Sequence, residues 1–593
     1  MGPALALADT PRRSAGVDRR VVVISGLAVL VAIAAALVAQ LLTALIALIT
    51  NLAFHGRFAF TPSSPADNHL GLAVIGVPVL GALVVGVMAR YGSRAIRGHG
   101  IPEAMEQVLF NQSRIPARMT FLKPLSSAIA IGTGGPFGAE GPIIATGGAI
   151  GSLVGQLLKT TADERKTLLA AGAAAGMAAT FGSPVAATLL AIELLLFEYR
   201  ARSLVPVALA SAAAAAVRIA AVGSAPAFTI PDLAQPTGAA IASYVVIGAL
   251  AGVASVYVTR AVYGVEDAFE KLPIHWMWWP ALGAVVTGVV GYFAPRTLGV
   301  GYDNIESILG GTLAGRALLI LVAMKFISWV VALGSGTSGG TLAPLLTLGG
   351  GLGALLAGAA LAVIPGLPLD VRVAALVGMA AMFAGASRAM LASVVFAFEA
   401  TRQPVGLLPL LGGCGAAYLI SCLMMKNSIM TEKLARRGAR VPADYSADFL
   451  DTVLVKDHAQ RSLVVLVGGD TLASARAFLA SNAPDASHQG FPVVDASGAL
   501  LGVVTRRNLL DTRRPDAATI RDLLERPALV AYEDESLREA ADRMLLAGVG
   551  RLAVLDRSGS THPTGILTRS DVLAAHGSRL DASQRAVRSL GAS

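Results

Sequence analysis

Apolar residues fall into long blocks over the first three quarters of the chain and into short ones thereafter. The block 21–54 contains no charged residue and exceeds the roughly 20 residues that span a bilayer upright. It predicts a helix that tilts or projects beyond the hydrocarbon. Further apolar blocks cover 70–89, 141–158, 167–196, 204–222, 239–262, 277–293, 317–333, 341–364, 371–398 and 405–425. Gly and Pro interrupt many of them, and several pieces are too short to cross alone. Broken helices are tolerated at membrane depth only where they line a cavity or are buried in protein, so the pattern predicts a permeation or substrate site. From Asp451 onward, short β runs alternate with amphipathic helices, and 468–482 predicts a helix begun by Asp470 or Thr471.

Composition sharpens this division. Of 593 residues 54% are hydrophobic and 14% charged, against about 25% charged in a soluble domain. Residues 1–440 hold 30 Lys+Arg and 19 Asp+Glu, and residues 441–593 hold 17 and 19. Only the second stretch has a soluble protein's charge density. A polytopic membrane domain followed by a soluble tail is expected, and a soluble enzyme is not. The net charge of +9 does not point to nucleic acid, because the excess lies in the membrane part. Arg12, Arg13, Arg19 and Arg20, the Arg90/Arg94/Arg97 loop, Arg114/Arg118, the stretch 159–166 and 433–440 would face the cytoplasm, with the loop 55–68 outside. A multi-pass cell-membrane protein with both termini cytoplasmic and an even number of crossings follows. The first apolar run is too long for a cleavable signal sequence. Cys414 and Cys422 lie in an apolar stretch without metal spacing and are expected to pack between helices.

The chain also repeats itself. At an offset of 202 residues, GTGGPFGAEGPIIATGGAIGSL (132–153) lies over GSGTSGGTLAPLLTLGGGLGAL (334–355), and GMAATF (176–181) over GMAAMF (378–383). With the offset increased by four, Ala191-Ile192-Glu193 lies over Ala397-Phe398-Glu399. Duplicated halves with broken helices are the pattern of transporters whose site lies between the repeats. The alignment leaves open whether the halves run parallel or inverted.

Glu140 is the residue to explain. It lies between Gly138 and Gly141, opens an apolar helix and has no basic residue nearby in sequence. An ionisable group inside a membrane faces a pathway or a partner; the alternative is a carboxylate capping a helix start. Gly-rich approaches to helix N-termini bind anions through backbone N–H groups and the helix dipole. Three occur: GHGIP (98–102), GAEGP (138–142) and GSGTSGGTLAP (334–344). Convergent partial charges would hold a dehydrated anion weakly enough for release, and a glutamate there could occupy the anion's place as a movable plug.

The order GHGIPE, GAEGP, GSGTSGGTLAP, followed by two repeated modules, resembles the CLC family of chloride channels and proton/chloride antiporters. The resemblance covers almost all of residues 20–440. It implies an all-α inverted-repeat membrane domain of about 18 helical segments over 21–440, with halves near 21–222 and 239–425. It also implies one anion pathway per subunit of a homodimer. On that resemblance Glu140 is the gating glutamate. Gly98, His99, Gly100, Ile101 and Pro102, Gly138 and Gly141, and Gly340, Thr341, Leu342 and Ala343 surround the chloride. The departures are informative. His99 stands for the coordinating serine, Leu342 for an aromatic, Met430 for the tyrosine that closes the inner side, and Leu194 for the internal proton-transfer glutamate. Glu193 is adjacent, either as a substitute acid or as a satisfied structural carboxylate. A hydrocarbon at the inner position argues for channel-like or weakly proton-coupled chloride conduction, with a coupled antiporter as the alternative. His99 either bonds a loop carbonyl or faces the pathway as a titratable group.

The tail reads as a linker (441–452), two modules (453–512 and 519–577) and an end segment (578–593). FPVVD…GVVT recurs as RLAVLD…GILT, which resembles a CBS pair of α/β modules. In that family a Thr-x-x-Asp motif can hold a nucleotide ribose. Thr568 and Asp571 keep it, whereas Thr505 is followed by Asn508. An adenine-nucleotide sensor and a structural or dimerising tail both fit. No other cofactor and no metal is expected, the three membrane glutamates forming no octahedral set. Gly336-Thr337-Ser338-Gly339-Gly340 matches the serine-hydrolase elbow G-x-S-x-G, but the repeat accounts for these glycines, so no enzyme is expected.

Overall fold

The computed structural model describes residues 18–158, 160–231, 233–438, 450, 453–481, 483–575 and 577. Residues 1–17 of the basic N-terminus, Lys159, Arg440, the expected linker apart from Leu450, Asn482 and the end segment 578–593 lie outside the described residues. Residues 16–443 form one compact unit and residues 444–593 most of another.

The first unit is helical. Its first half holds α1 (Arg19–His55), α2 (Gly76–Val87), α3 (Ile101–Phe110), α4 (Met119–Gly132), α5 (Glu140–Leu157), α6 (Ala162–Phe181), α7 (Pro184–Ala191) and α8 (Ala201–Val222). The second half holds α9 (Gly238–Glu270), α10 (Trp279–Phe293), α11 (Tyr302–Leu309), α12 (Gly315–Gly334), α13 (Leu342–Val363), α14 (Val371–Ser387), α15 (Met390–Thr401) and α16 (Leu407–Met424). The short α17 (Glu432–Arg436) follows. Among the described residues seven helical segments are long and apolar enough to cross a membrane. At 1.5 Å per residue α1 is about 55 Å long, well beyond a bilayer's hydrocarbon thickness.

Two blocks expected as single runs are broken. The block 167–196 divides after α6, where Gly182 adopts φ 66° and Pro184 restarts the chain as α7. The block 371–398 divides at Arg388, with φ 62°. Both breaks fall at equivalent places in the repeat, so they belong to the fold and not to a local accident.

The halves are inverted. Glu193, just beyond α7, accepts from Leu391 N (3.0 Å) and Ala392 N (2.9 Å) at the start of α15. Glu399, near the end of α15, accepts from Val185 N (3.1 Å) and Ala186 N (2.8 Å) at the start of α7. Each helix thus caps the other's N-terminus, which requires them to be antiparallel. Glycines set the close packing within each half. A Cβ at Gly147 would overlap Gly172 O between α5 and α6, and one at Gly349 would overlap Gly378 O between α13 and α14.

In the tail, β1 (Leu466–Val467), β2 (Gly490–Val494) and β3 (Leu500–Thr505) form one sheet, and β4 (Val530–Tyr532), β5 (Arg551–Leu555) and β6 (Gly565–Thr568) another. In each the first pair is parallel and the second antiparallel. Thr471 caps α18 (Leu472–Ala480) by accepting from Ser474 N. The helices α19 (Arg506–Leu509) and α20 (Leu537–Leu546) complete the two modules.

Candidate anion site

The three Gly-rich turns meet. Gly98 N donates to Thr337 O (3.2 Å) and Gly339 N to Gly98 O (3.4 Å). Gly138 and Gly340 exchange hydrogen bonds at 3.1 and 2.9 Å as an isolated antiparallel bridge. These two glycines are equivalent in the repeat, so the bridge marks the local two-fold axis. A Cβ at Gly100 would overlap Gly141 O, and one at Gly141 would overlap His99 O and stand 3.0 Å from Gly340 Cα. Backbones this close leave no room for side chains, which is the physical reason for the glycines. The starts of α3, α5 and α13, with first-turn N–H groups that have no intrahelical acceptor, are thereby gathered at one place.

Two buried lysines hold the approaches. Lys123 Nζ donates to Ile96 O and Gly98 O, both at 2.8 Å, before α3. Lys325 Nζ donates to Thr297 O (3.0 Å) and Gly299 O (2.8 Å), before α11. They lie 202 residues apart and do the same work in each half. Glu103 closes the start of α3 by accepting from Gly100 N (2.7 Å) and pairs with Lys433 of α17 at 2.7 Å.

Glu140 is wholly buried at the first position of α5. Its Oε1 accepts from Tyr302 Oη at 2.6 Å, and its Oε2 is buried without a hydrogen-bond partner. The carboxylate folds back over its own turn, where a Cβ on Gly138 would overlap Oε2. Ile101, Pro102, Gly141, Thr341, Leu342 and Ala343 are buried around the meeting point. His99 is also buried, and its Nδ1 has no partner, so that nitrogen does not bond a loop carbonyl. Tyr302 was not expected from sequence. The signal was there: GVGY (299–302) lies over GHGI (98–101) at an offset of 201.

Other expected positions fare differently. Leu194 is buried in the helical core, and Glu193 accepts from two N–H groups of α15. Met430 is buried in the turn before α17; beside it Tyr263 Oη donates to Ile429 O at 2.8 Å. Ser338 Oγ is hydrogen-bonded to Ser126 Oγ (3.2 Å) and Ser127 Oγ (2.9 Å), partners that are neither base nor acid. Cys414 packs between helices as expected, but Cys422 is exposed, because it falls on the outer face of α16. In the tail, Asp571 accepts from Thr568 N (2.8 Å), Thr568 Oγ1 (2.7 Å) and Gln460 Nε2 (3.2 Å). A cavity of about 240 Å³ lies instead beside Thr505, Asn508, Arg526 and Arg551.

Comparison with known proteins agrees with this geometry. Residues 80–422 match the family model described as voltage gated chloride channel, and 455–514 and 520–577 match the CBS domain. The chloride channel protein CLC-f of Arabidopsis thaliana is 28% identical over 82% of this chain and 71% of its own length. The H(+)/Cl(-) exchange transporter ClcA of Vibrio parahaemolyticus is 28% identical over 62% of this chain and 80% of its own. Among solved structures, a slow cyanobacterial Cl-/H+ antiporter superposes with a TM-score of 0.62 at 22% identity, covering 69% of this chain and 98% of that one. A eukaryotic CLC transporter superposes at 0.57 and 21%, covering 92% and 97%. The inverted helical repeat, the meeting of its Gly-rich turns and the paired C-terminal modules therefore place this chain in the CLC family, with a C-terminal CBS pair.

Proposed function

We propose that this protein conducts chloride across the cell membrane through a pathway gated by Glu140, one pathway in each subunit of a homodimer, with both termini cytoplasmic. The observation that carries the reading is the position of the Glu140 carboxylate: buried, at the start of α5, where three helix N-termini face one another. A carboxylate there competes with an anion for the same partial charges, and protonation removes the competitor. Conduction is channel-like or weakly proton-coupled, since Leu194 and Met430 place hydrocarbon where a relay acid and a hydroxyl would stand. Likeness to exchange transporters favours the alternative of coupled antiport. Reversal potentials in reconstituted liposomes, under a chloride gradient with and without an opposing pH gradient, decide between them. A reversal potential that follows chloride alone is expected; one that moves with the pH gradient would establish coupling.

An adenine nucleotide is proposed for the CBS pair. The cavity beside Thr505 and Asn508, with Arg526 and Arg551 to receive phosphate, supports it, whereas Thr568 and Asp571 do not line that cavity. Calorimetric titration of the purified protein with ATP, repeated after Arg551→Ala, tests this.

A further inference from the structure

We propose that Tyr302 is the latch of the pathway, its phenol holding the Glu140 carboxylate in the closed position. The proposal rests on the reading of Glu140 as the gate. Tyr302 Oη lies 2.6 Å from Glu140 Oε1, and it is the side-chain donor to that carboxylate. Bonds from O–H to an ionised oxygen at this length are about twice as strong as neutral ones. The other carboxylate oxygen is buried without a side-chain partner, and the backbone N–H groups of Glu140 and Ala343 face the carboxylate, so among the described residues the phenol is its side-chain hold.

The phenol is held ready for this. Tyr302 opens α11, and the turn before it passes through Gly301 at φ 78°. Lys325 grips the carbonyls of that turn at Thr297 and Gly299. The ring packs edge-on against Phe181, with centroids 5.9 Å apart, and tilted against Phe228 at 6.1 Å. Tyr302 and Ala139 also line a cavity of about 490 Å³. A carboxylate leaving the anion site for that cavity must break the bond.

The repeat supplies an internal control. The position equivalent to Glu140 in the other half is Leu342, and the position equivalent to Tyr302 is Ile101. Acceptor and donor occur together in one arrangement and are both hydrocarbon in the other. The pair is therefore a feature of the gate and not of the scaffold common to the two halves.

The test is chloride efflux from liposomes at neutral pH for the wild type, Tyr302→Phe, Glu140→Ala and the double variant. Loss of a hydrogen bond to a charged group shifts an equilibrium by about tenfold or more. Tyr302→Phe is expected to raise efflux by about that factor, and to add nothing once Glu140 is alanine. Efflux of Tyr302→Phe at the wild-type level overturns the latch. So does an equal increase in both backgrounds, because the ring would then act on the pore itself. Should Glu140→Ala alone leave efflux and its pH control as in the wild type, the gate reading fails and the latch with it, whatever Tyr302→Phe does. If Tyr302→Phe is not monodisperse, Tyr302→Ile, the residue of the other repeat, takes its place under the same outcomes.

Discussion

At the residue scale, the Glu140 carboxylate is buried at the start of α5, and two predictions follow from how it is accommodated. Glu140→Gln carries no negative charge at any pH, so chloride flux in that variant is expected to lose its dependence on external pH while the fold is kept. Flux assays at acid and neutral pH check this, and retention of wild-type pH control would remove Glu140 from the gate. Gly138→Ala makes the complementary change, because its Cβ would overlap Glu140 Oε2. The carboxylate has to leave, and flux at neutral pH is expected to rise several-fold. His99 offers a separate titration. Buried beside the turns with Nδ1 unpartnered, it becomes a cation next to the anion when protonated. Chloride affinity in a Glu140→Gln background is expected to rise on acidification, and His99→Ser to abolish the rise. Affinity that does not rise on acidification in that background would make His99 structural.

At the scale of elements, charge inside the membrane unit serves mainly to hold helix ends and turns. Glu193 and Glu399 each satisfy two N–H groups of the other's helix. A cap of this kind contributes about 1 kcal/mol. Glu193→Gln is expected to lower thermal stability modestly and to leave the proton-to-chloride ratio unchanged; a changed ratio would return Glu193 to the proton path. In the tail, Arg543 and Glu535 form a buried pair, with Nη1–Oε2 at 2.8 Å and Nη2–Oε1 at 3.0 Å. Arg543 also donates to Val530 O at 2.6 Å, tying α20 to β4. Removing one partner strands a buried charge, at a cost of about 3–5 kcal/mol. Glu535→Ala should therefore unfold the second CBS module at lower temperature, read as earlier proteolysis of the tail on heating. Arg557 also reaches Glu535 at 3.2 Å, so the same substitution removes that contact as well and leaves Arg557 paired with Asp534 alone.

At the scale of the molecule, the organisation legible from the chain alone was the part that depends on local pattern. Apolar block length separates the membrane unit from the tail. Composition changes where the two compact units divide. The 202-residue offset announces the duplicated halves, and glycines a few residues before a proline mark each Gly-rich turn, because backbones in contact exclude every larger residue. What tertiary structure decided was which distant groups meet. An offset is the same for parallel and inverted repeats; reciprocal capping by Glu193 and Glu399 and the antiparallel bridge of Gly138 with Gly340 require inversion. The partner of Glu140 lies 162 residues away, and no periodicity links a glutamate to a tyrosine across that distance. The same holds for the tail, where Thr568 and Asp571 carry the recognisable motif but the cavity opens beside Thr505 and Asn508. Hydrophobic pattern acts over a turn or two and is written in neighbouring residues, whereas a hydrogen-bond partner is chosen by packing, after the chain has folded back on itself.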